Sequence, residues 1–362
     1  MLRCVCPEEI SFASAPRGFL VEVTLRVFGS KSLREIIEWF AVGYAGTVEP
    51  SPKVVNPESN FMALSFSAKP ASTLAEPGGQ RRRVLVTGAA GRIGAYFAEH
   101  AKDRYDLRLM VHRESSIPTV QAFGEVLVAD LVDLDRLKAA FQGIDTIVHL
   151  AGNPSPSAPW GSLLEENIVG TYHVYVAAKA AGCRRVVFAS SIHAVSGYPP
   201  DVQVKTTDPV NPGDLYGVTK CFGEALGRYM AMQEGLSVIA VRIGAFQSEE
   251  AAEQPDALWM MDAFVSQADL HQLLEKCIDA ENLQFAIFNG LSNNRFKRLD
   301  ISDARELVGY APVDDFTEEN AVLAPIHLRE QVWAHSRLDP DEESGLRAVS
   351  YTHLTLPTNR EV

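Results

Sequence analysis

Tyr216 and Lys220 stand four residues apart in "DLYGVTKCFGEALGRY", residues 214–229, where a helical period begins. Side chains at i and i+4 project from one helix face, so a phenol and an ammonium share a side. A phenol with a pKa of ~10 must fall to ~7 to act as a base at neutral pH, which takes about 4 kcal/mol of favourable field. An isolated Tyr-x-x-x-Lys is common on helix surfaces, so the pair gains meaning only from its company. "VVFASSIHAV" reads as a strand ending in Ser190 and Ser191. A hydroxyl there can hydrogen-bond a substrate oxygen while the tyrosine handles its proton. Asn167, in "EENIVGTYHV", lies on an intervening helix, where its amide orders the lysine or a water, or is simply packed.

"VLVTGAAGRIG", residues 84–94, places Gly88, Gly91 and Gly94 between an apolar run and a helical period. The first glycine permits a tight turn, the second lets backbone approach a pyrophosphate, and the third lets helix pack on strand. The N-terminus of the following helix, with Arg92 and Ile93, offers N–H donors and a positive dipole to that anion. A nicotinamide dinucleotide, NAD or NADP, is the expected cofactor, and its oxidised ring joins Lys220 in lowering the Tyr216 pKa. The next strand ends "LMVHRESS" with no carboxylate at the position ~20 residues on that usually grips a ribose. Arg113 there either meets a 2'-phosphate or is a solvated loop residue, while Glu114 can still serve NAD. Asp130, with Leu131, ends "VADL" and is placed to accept from an adenine amino group. Leu150, Ala151 and Gly152 in "HLAG" let backbone come close to the cofactor.

These residues need a frame that gathers strand ends on one edge. Short runs such as "RRVLVTG", "DLRLMVH", "GEVLVAD", "DTIVHLAG", "RRVVFASS" and "LSVIAVRIG" alternate with helix-length segments. Continuous Val/Ile/Leu strands imply burial on both faces, hence an α/β, Rossmann-like, doubly wound parallel sheet. We expect this NAD(P)-binding domain over 81–245 and a small substrate-binding lobe over 246–335, holding two helices and the strand "QFAIFNG". Residues 1–80, with Ser, Pro and Gly clusters, are expected to be disordered or a spurious extension, Met62 being a possible true start; an organelle presequence is the alternative. Residues 348–362 back-translate in part to a sequencing adapter, so an artefact is expected there.

The 362-residue chain carries a formal charge of -13. Such a field repels nucleic acid and anionic membrane. Five cysteines lack metal-type spacing, and no apolar run reaches the ~20 residues that span a bilayer. We expect a cytoplasmic protein with no metal site, no nucleic-acid partner and no membrane partner.

Together, "TGAAGRIG", "ADL", "HLAG", "NIVGT", "FASS" and "YGVTK", in that order from Arg81 to about Asp315, resemble the extended short-chain dehydrogenase/reductase family, also called the NAD-dependent epimerase/dehydratase family. The resemblance implies Tyr216 as acid/base, Lys220 as ribose contact and pKa-lowering group, Ser191 as substrate-polarising hydroxyl, and Asn167 completing the set. "FASSIHAVSGYP" and "VRIGAF" look most like uronate dehydrogenases, while "HLAGNPSPSAPW" and "ALWM" look closer to short-chain-type glucose-6-phosphate dehydrogenases. Both oxidise the anomeric hydroxyl of a sugar to a lactone. The likeness implies a small-molecule sugar substrate, touched by Pro154, His193 and Trp259, and a homodimer. Three departures stand out: Trp259 where uronate dehydrogenases carry a carboxylate-binding arginine, Ile192 for an asparagine, and Ala245 for a serine. A neutral aldose or a sugar phosphate is therefore expected over a uronate. Arg242 either holds an anionic group of the substrate or forms an internal ion pair. A nucleotide-sugar 4-epimerase with retained NAD is the second reading, although residues 81–347 leave little room for its larger lobe. A non-catalytic NAD(P)-sensing protein is the third.

Overall fold

The structure is a computed structural model that describes residues 81–328; the expected extension over 1–80 and the tail over 348–362 lie outside the described residues. Seven parallel strands form one sheet: β1 (Arg83–Thr87), β2 (Asp106–Val111), β3 (Glu125–Val128), β4 (Thr146–His149), β5 (Arg185–Ser191), β6 (Ser237–Ile243) and, after a separate two-stranded pair β7 (Ala245–Gln247) and β8 (Phe264–Ser266), β9 (Phe285–Gly290). Their order across the sheet is β3-β2-β1-β4-β5-β6-β9. The chain moves outward from β1 to one side, then returns to β4 on the other. The resulting switch point lies between β1 and β4, where parallel sheets open a ligand crevice at their carboxyl ends.

Alternation along each strand builds two cores. Val84, Val86, Val187, Ile239 and Val241 face one side with Phe97 of α1 (Arg92–Ala101), while Leu85, Val186, Phe188, Val238 and Ala240 face the other. That second side packs against Leu137 of α2 (Leu134–Ala140), Val174 and Tyr175 of α3 (Gly170–Ala180), and Met230 of α4 (Leu215–Met232). Each fully buried Val, Leu or Phe contributes ~1.5–3 kcal/mol, so these two layers fix the sheet.

The division expected at 245/246 does not follow the sheet. β9, from the stretch assigned to the lobe, hydrogen-bonds β6 from Val238↔Phe285 to Ile243↔Gly290. Leu270, Leu273 and Leu274 of α5 (Gln267–Asp279) join the same core as Val84 and Phe97. "FAIFNG" is a both-face apolar strand like the others, and the open edge of β6 is where it can pair. What stands apart is smaller: the β7/β8 pair with a satellite cluster of Ala252, Ala257, Met260, Phe264 and Phe316. Among the described residues no helix is long and apolar enough to cross a membrane.

Candidate active site

A cleft of about 1140 Å³ runs along the carboxyl ends of the strands, from the glycine turn to Tyr216. Its cofactor end begins at Gly88, whose φ of +66° is costly for other residues. The turn closes with Gly91 N–H on Gly88 O at 2.9 Å, and α1 starts without a side-chain cap. The amides of Arg92, Ile93 and Gly94 consequently have no acceptor among the described residues. An uncapped helix end facing a cleft fits a dinucleotide pyrophosphate, so the residues present suit the expected cofactor.

Across the switch point, the N–H groups of Leu150 and Ala151 both donate to Thr87 Oγ1 at 3.2 Å. With its lone pairs so used, Thr87 donates its own proton to His149 Nδ1 at 2.8 Å. That sets His149 as the Nε2–H tautomer, with Thr171 Oγ1 at 3.4 Å beyond it. Burial, helped by the charge of Lys220, lowers the His149 pKa to about 3. A neutral imidazole thus braces the wall at Leu150, Ala151 and Gly152.

Arg113, Asp130 and Leu131 line the far side of the cofactor end. His112 Nδ1 approaches Asp130 Oδ2 at 3.6 Å, and Asp130 Oδ1 accepts from Val132 N–H at 3.1 Å. Arg113 is exposed, and its side chain has no hydrogen bond or ion pair among the described residues.

At the other end, Asp214 caps α4 by accepting the Gly217 N–H at 2.7 Å. Gly217 has no side chain because a Cβ there would collide with the carbonyl oxygen of His193. This close approach presses the first turn of α4 onto the turn after β5, bringing Tyr216 beside Ser191 and His193. The Tyr216 phenol lies beside the Ser191 side chain, and its ring meets that of His193 edge-on at 5.4 Å. Burial raises the phenol pKa and Asp214 adds to the rise, while Ser191 pulls it down. Lys220 Nζ donates to Ala189 O at 2.9 Å and lies 5.4 Å from the Tyr216 ring centroid. Burial lowers its pKa to about 8, leaving the ammonium charged at neutral pH.

Pro154, His193 and Trp259 line this substrate end, and Trp259 is 67% exposed rather than part of the core. Ser190 also borders the cleft, but its hydroxyl donates to Glu224 Oε1 at 2.6 Å.

Two sequence expectations change. Arg242 does not reach the cleft: its Nε and Nη2 meet Glu224 Oε1 and Oε2 at 2.8 and 2.9 Å, with both side chains almost fully buried. It forms the internal ion pair, because β6 points it beneath α4 where a buried cation needs a carboxylate. Asn167 makes no hydrogen bond to Lys220 among the described residues. It sits in a π-helical turn, Leu163–Val169, and its amide bonds Asn153 O at 3.0 Å, Thr219 Oγ1 at 3.1 Å and, through Oδ1, Asn153 N–H at 2.7 Å. It therefore anchors the loop after β4 to α4 from behind. Asp214 and Arg298 are site residues the sequence reading did not single out; the Asp before "LYG" was a legible N-cap signal.

Residues 84–303 match the NAD dependent epimerase/dehydratase family. The chain belongs to that family. An NAD-dependent glucose-6-phosphate dehydrogenase of Haloferax volcanii is 37% identical over 253 residues, covering 65% of this chain and 94% of that protein. An L-arabinose 1-dehydrogenase (NAD(P)(+)) of the same organism is 36% identical, covering 64% and 97%. A mutant uronate dehydrogenase from Agrobacterium tumefaciens, solved in complex with NAD, superposes with a TM-score of 0.58 at 32% identity, covering 72% of this chain and 93% of that one. As a member of this epimerase/dehydratase family, the chain carries the Rossmann-like fold and the nicotinamide-binding architecture seen in that structure.

Proposed function

We propose that this protein is an NAD(P)-dependent sugar dehydrogenase that oxidises the anomeric hydroxyl of an aldose or aldose phosphate to a lactone. The observation that carries the reading is the convergence of Tyr216, Ser191 and Lys220 at one end of a cleft whose other end is an uncapped helix N-terminus. Ser191 and Tyr216 together hold the C1 hydroxyl, Tyr216 accepting its proton as phenolate. Lys220, charged and fixed by Ala189 O, keeps positive potential beside the phenol and has two N–H groups left for a ribose. A bound oxidised nicotinamide supplies the hydride acceptor and a further positive charge, which opposes the upward pKa shift that burial imposes on Tyr216. Gly88, Gly91, Arg92, Ile93 and Gly94 would hold the pyrophosphate, Asp130 and Leu131 the adenine, and Arg113 a 2'-phosphate when NADP binds. The dehydrogenase relatives span nearly their whole length on this chain, which favours dehydrogenation over 4-epimerisation.

A homodimer accompanies this reading. Leu215, Val218, Tyr229 and Met232 form an exposed apolar stripe along α4, beside exposed Tyr172 of α3. A second copy would bury it, and light scattering on wild type and Tyr229→Lys tests the point.

The deciding experiment follows reduced-nicotinamide formation with NAD and NADP across neutral aldoses, hexose phosphates and uronates, with Tyr216→Phe as control. Turnover that disappears in the variant supports the dehydrogenase. No turnover with any sugar, and NAD retained through purification, would replace it with the epimerase.

A further inference from the structure

The substrate end of the cleft contains a cation that the reaction outlined above does not use. Arg298, in the segment after β9, lines the cleft with Ser191, His193, Tyr216 and Trp259. Its Nη2 donates to Tyr198 O at 2.7 Å and approaches Ser196 O at 3.5 Å, while Nη1 approaches Pro199 O at 3.5 Å. Its main-chain N–H donates to Asp262 O at 2.8 Å, so both ends of the residue are fixed. Carbonyl oxygens orient a guanidinium without neutralising it.

Arg104, Arg184 and Arg242 each meet a carboxylate, as a protein of charge -13 readily provides. Arg298 has no ion pair among the described residues, and its Nε has no acceptor there. The segment 196–199 that pins it continues directly from the turn bearing Ser191 and His193, so the charge lies on the sugar side, away from the glycine turn. A guanidinium fork held at the wall of a cleft is matched to an oxyanion.

Resting on the dehydrogenase reading, we infer that Arg298 binds an oxyanion carried by the sugar, a phosphate ester or a carboxylate, at the end remote from the reacting carbon. Arg298 is then the residue that separates charged from neutral aldoses, and Trp259 leaves that task to it.

The test compares wild type, Arg298→Gln and Arg298→Lys on glucose 6-phosphate, glucuronate and glucose, with KM and kcat separated. For the charged sugar that wild type prefers, Arg298→Gln raises KM about 10- to 100-fold, as expected for a charged hydrogen bond, with kcat and the KM for glucose little changed. Arg298→Lys recovers part of the loss. The phosphate and carboxylate arms show which oxyanion is bound. Preference of wild type for glucose, or equal loss on charged and neutral sugars, would overturn the inference. Calorimetric binding of glucose 6-phosphate and glucuronate runs in parallel. Absent turnover with binding of either that Arg298→Gln abolishes would remove the dehydrogenase and keep the oxyanion site; absent turnover with unaltered or no binding removes the site too.

Discussion

His193 Nδ1 lies 2.6 Å from Oδ2 of Asp214, whose Oδ1 caps the helix that carries Tyr216 and Lys220. One carboxylate thus couples the position of the cleft histidine to the start of the helix behind it. Asp214→Ala removes both contacts and is expected to cost ~1 kcal/mol of stability through the lost cap. Asp214→Asn retains a cap acceptor and costs less, yet weakens the hold on His193. Urea unfolding ranks the two variants for stability, and sugar KM, raised in both, reports the loosened histidine.

Lys220 makes stability depend on alkaline pH. Its folded pKa of about 8 lies below the ordinary value of 10.5, because burial opposes the charge. Between those values the unfolded chain holds a proton that the folded one lacks, so stability from this group rises with pH and is lost on descending toward 8. Comparing melting temperatures at pH 7 and 9.5, wild type should gain on Lys220→Met at the higher pH. The variant should also lose ~10²-fold or more in kcat.

His149 acts in the acid range. Its pKa falls from 6.5 to about 3, so between these values only the unfolded chain takes up the proton, and stability declines as pH drops. His149→Gln is expected to flatten that decline. Urea midpoints at pH 5 and pH 7 for both proteins measure the difference.

Arg113 tests cofactor choice. It stands free at the tip of β2, where an acid selective for NAD is missing. Arg113→Ala should raise the KM for NADP about 10-fold while that for NAD changes little, an effect of the size of one charge-assisted hydrogen bond.

The fold was legible because a doubly covered parallel sheet leaves continuous apolar runs in the chain, and the glycine turn and the Tyr216/Lys220 spacing are local patterns. What depended on distant pairing was not. Arg242 stood open in sequence between a substrate anion and an internal ion pair, since its partner Glu224 lies 18 residues earlier on a different element. Asn167 carried a family role by resemblance, yet Asn153 and Thr219 take up its amide, contacts that only the packing of three segments creates. Arg298 belongs to no motif, and its meaning arises from the carbonyls of a loop about 100 residues away. "FAIFNG" was recognised as a strand but placed in the lobe, because sequence order says nothing of which sheet edge remains open.

The late arrival of β9 has a consequence for biosynthesis. Once β6 has emerged from the ribosome, its outer edge stays unpaired until residues 285–290 follow. At ~5–20 residues per second, that leaves a mostly apolar strand edge open for several seconds. Any truncation before β9 makes the exposure permanent and invites edge-to-edge association. The nascent chain is thus most vulnerable after its cofactor cradle is already complete.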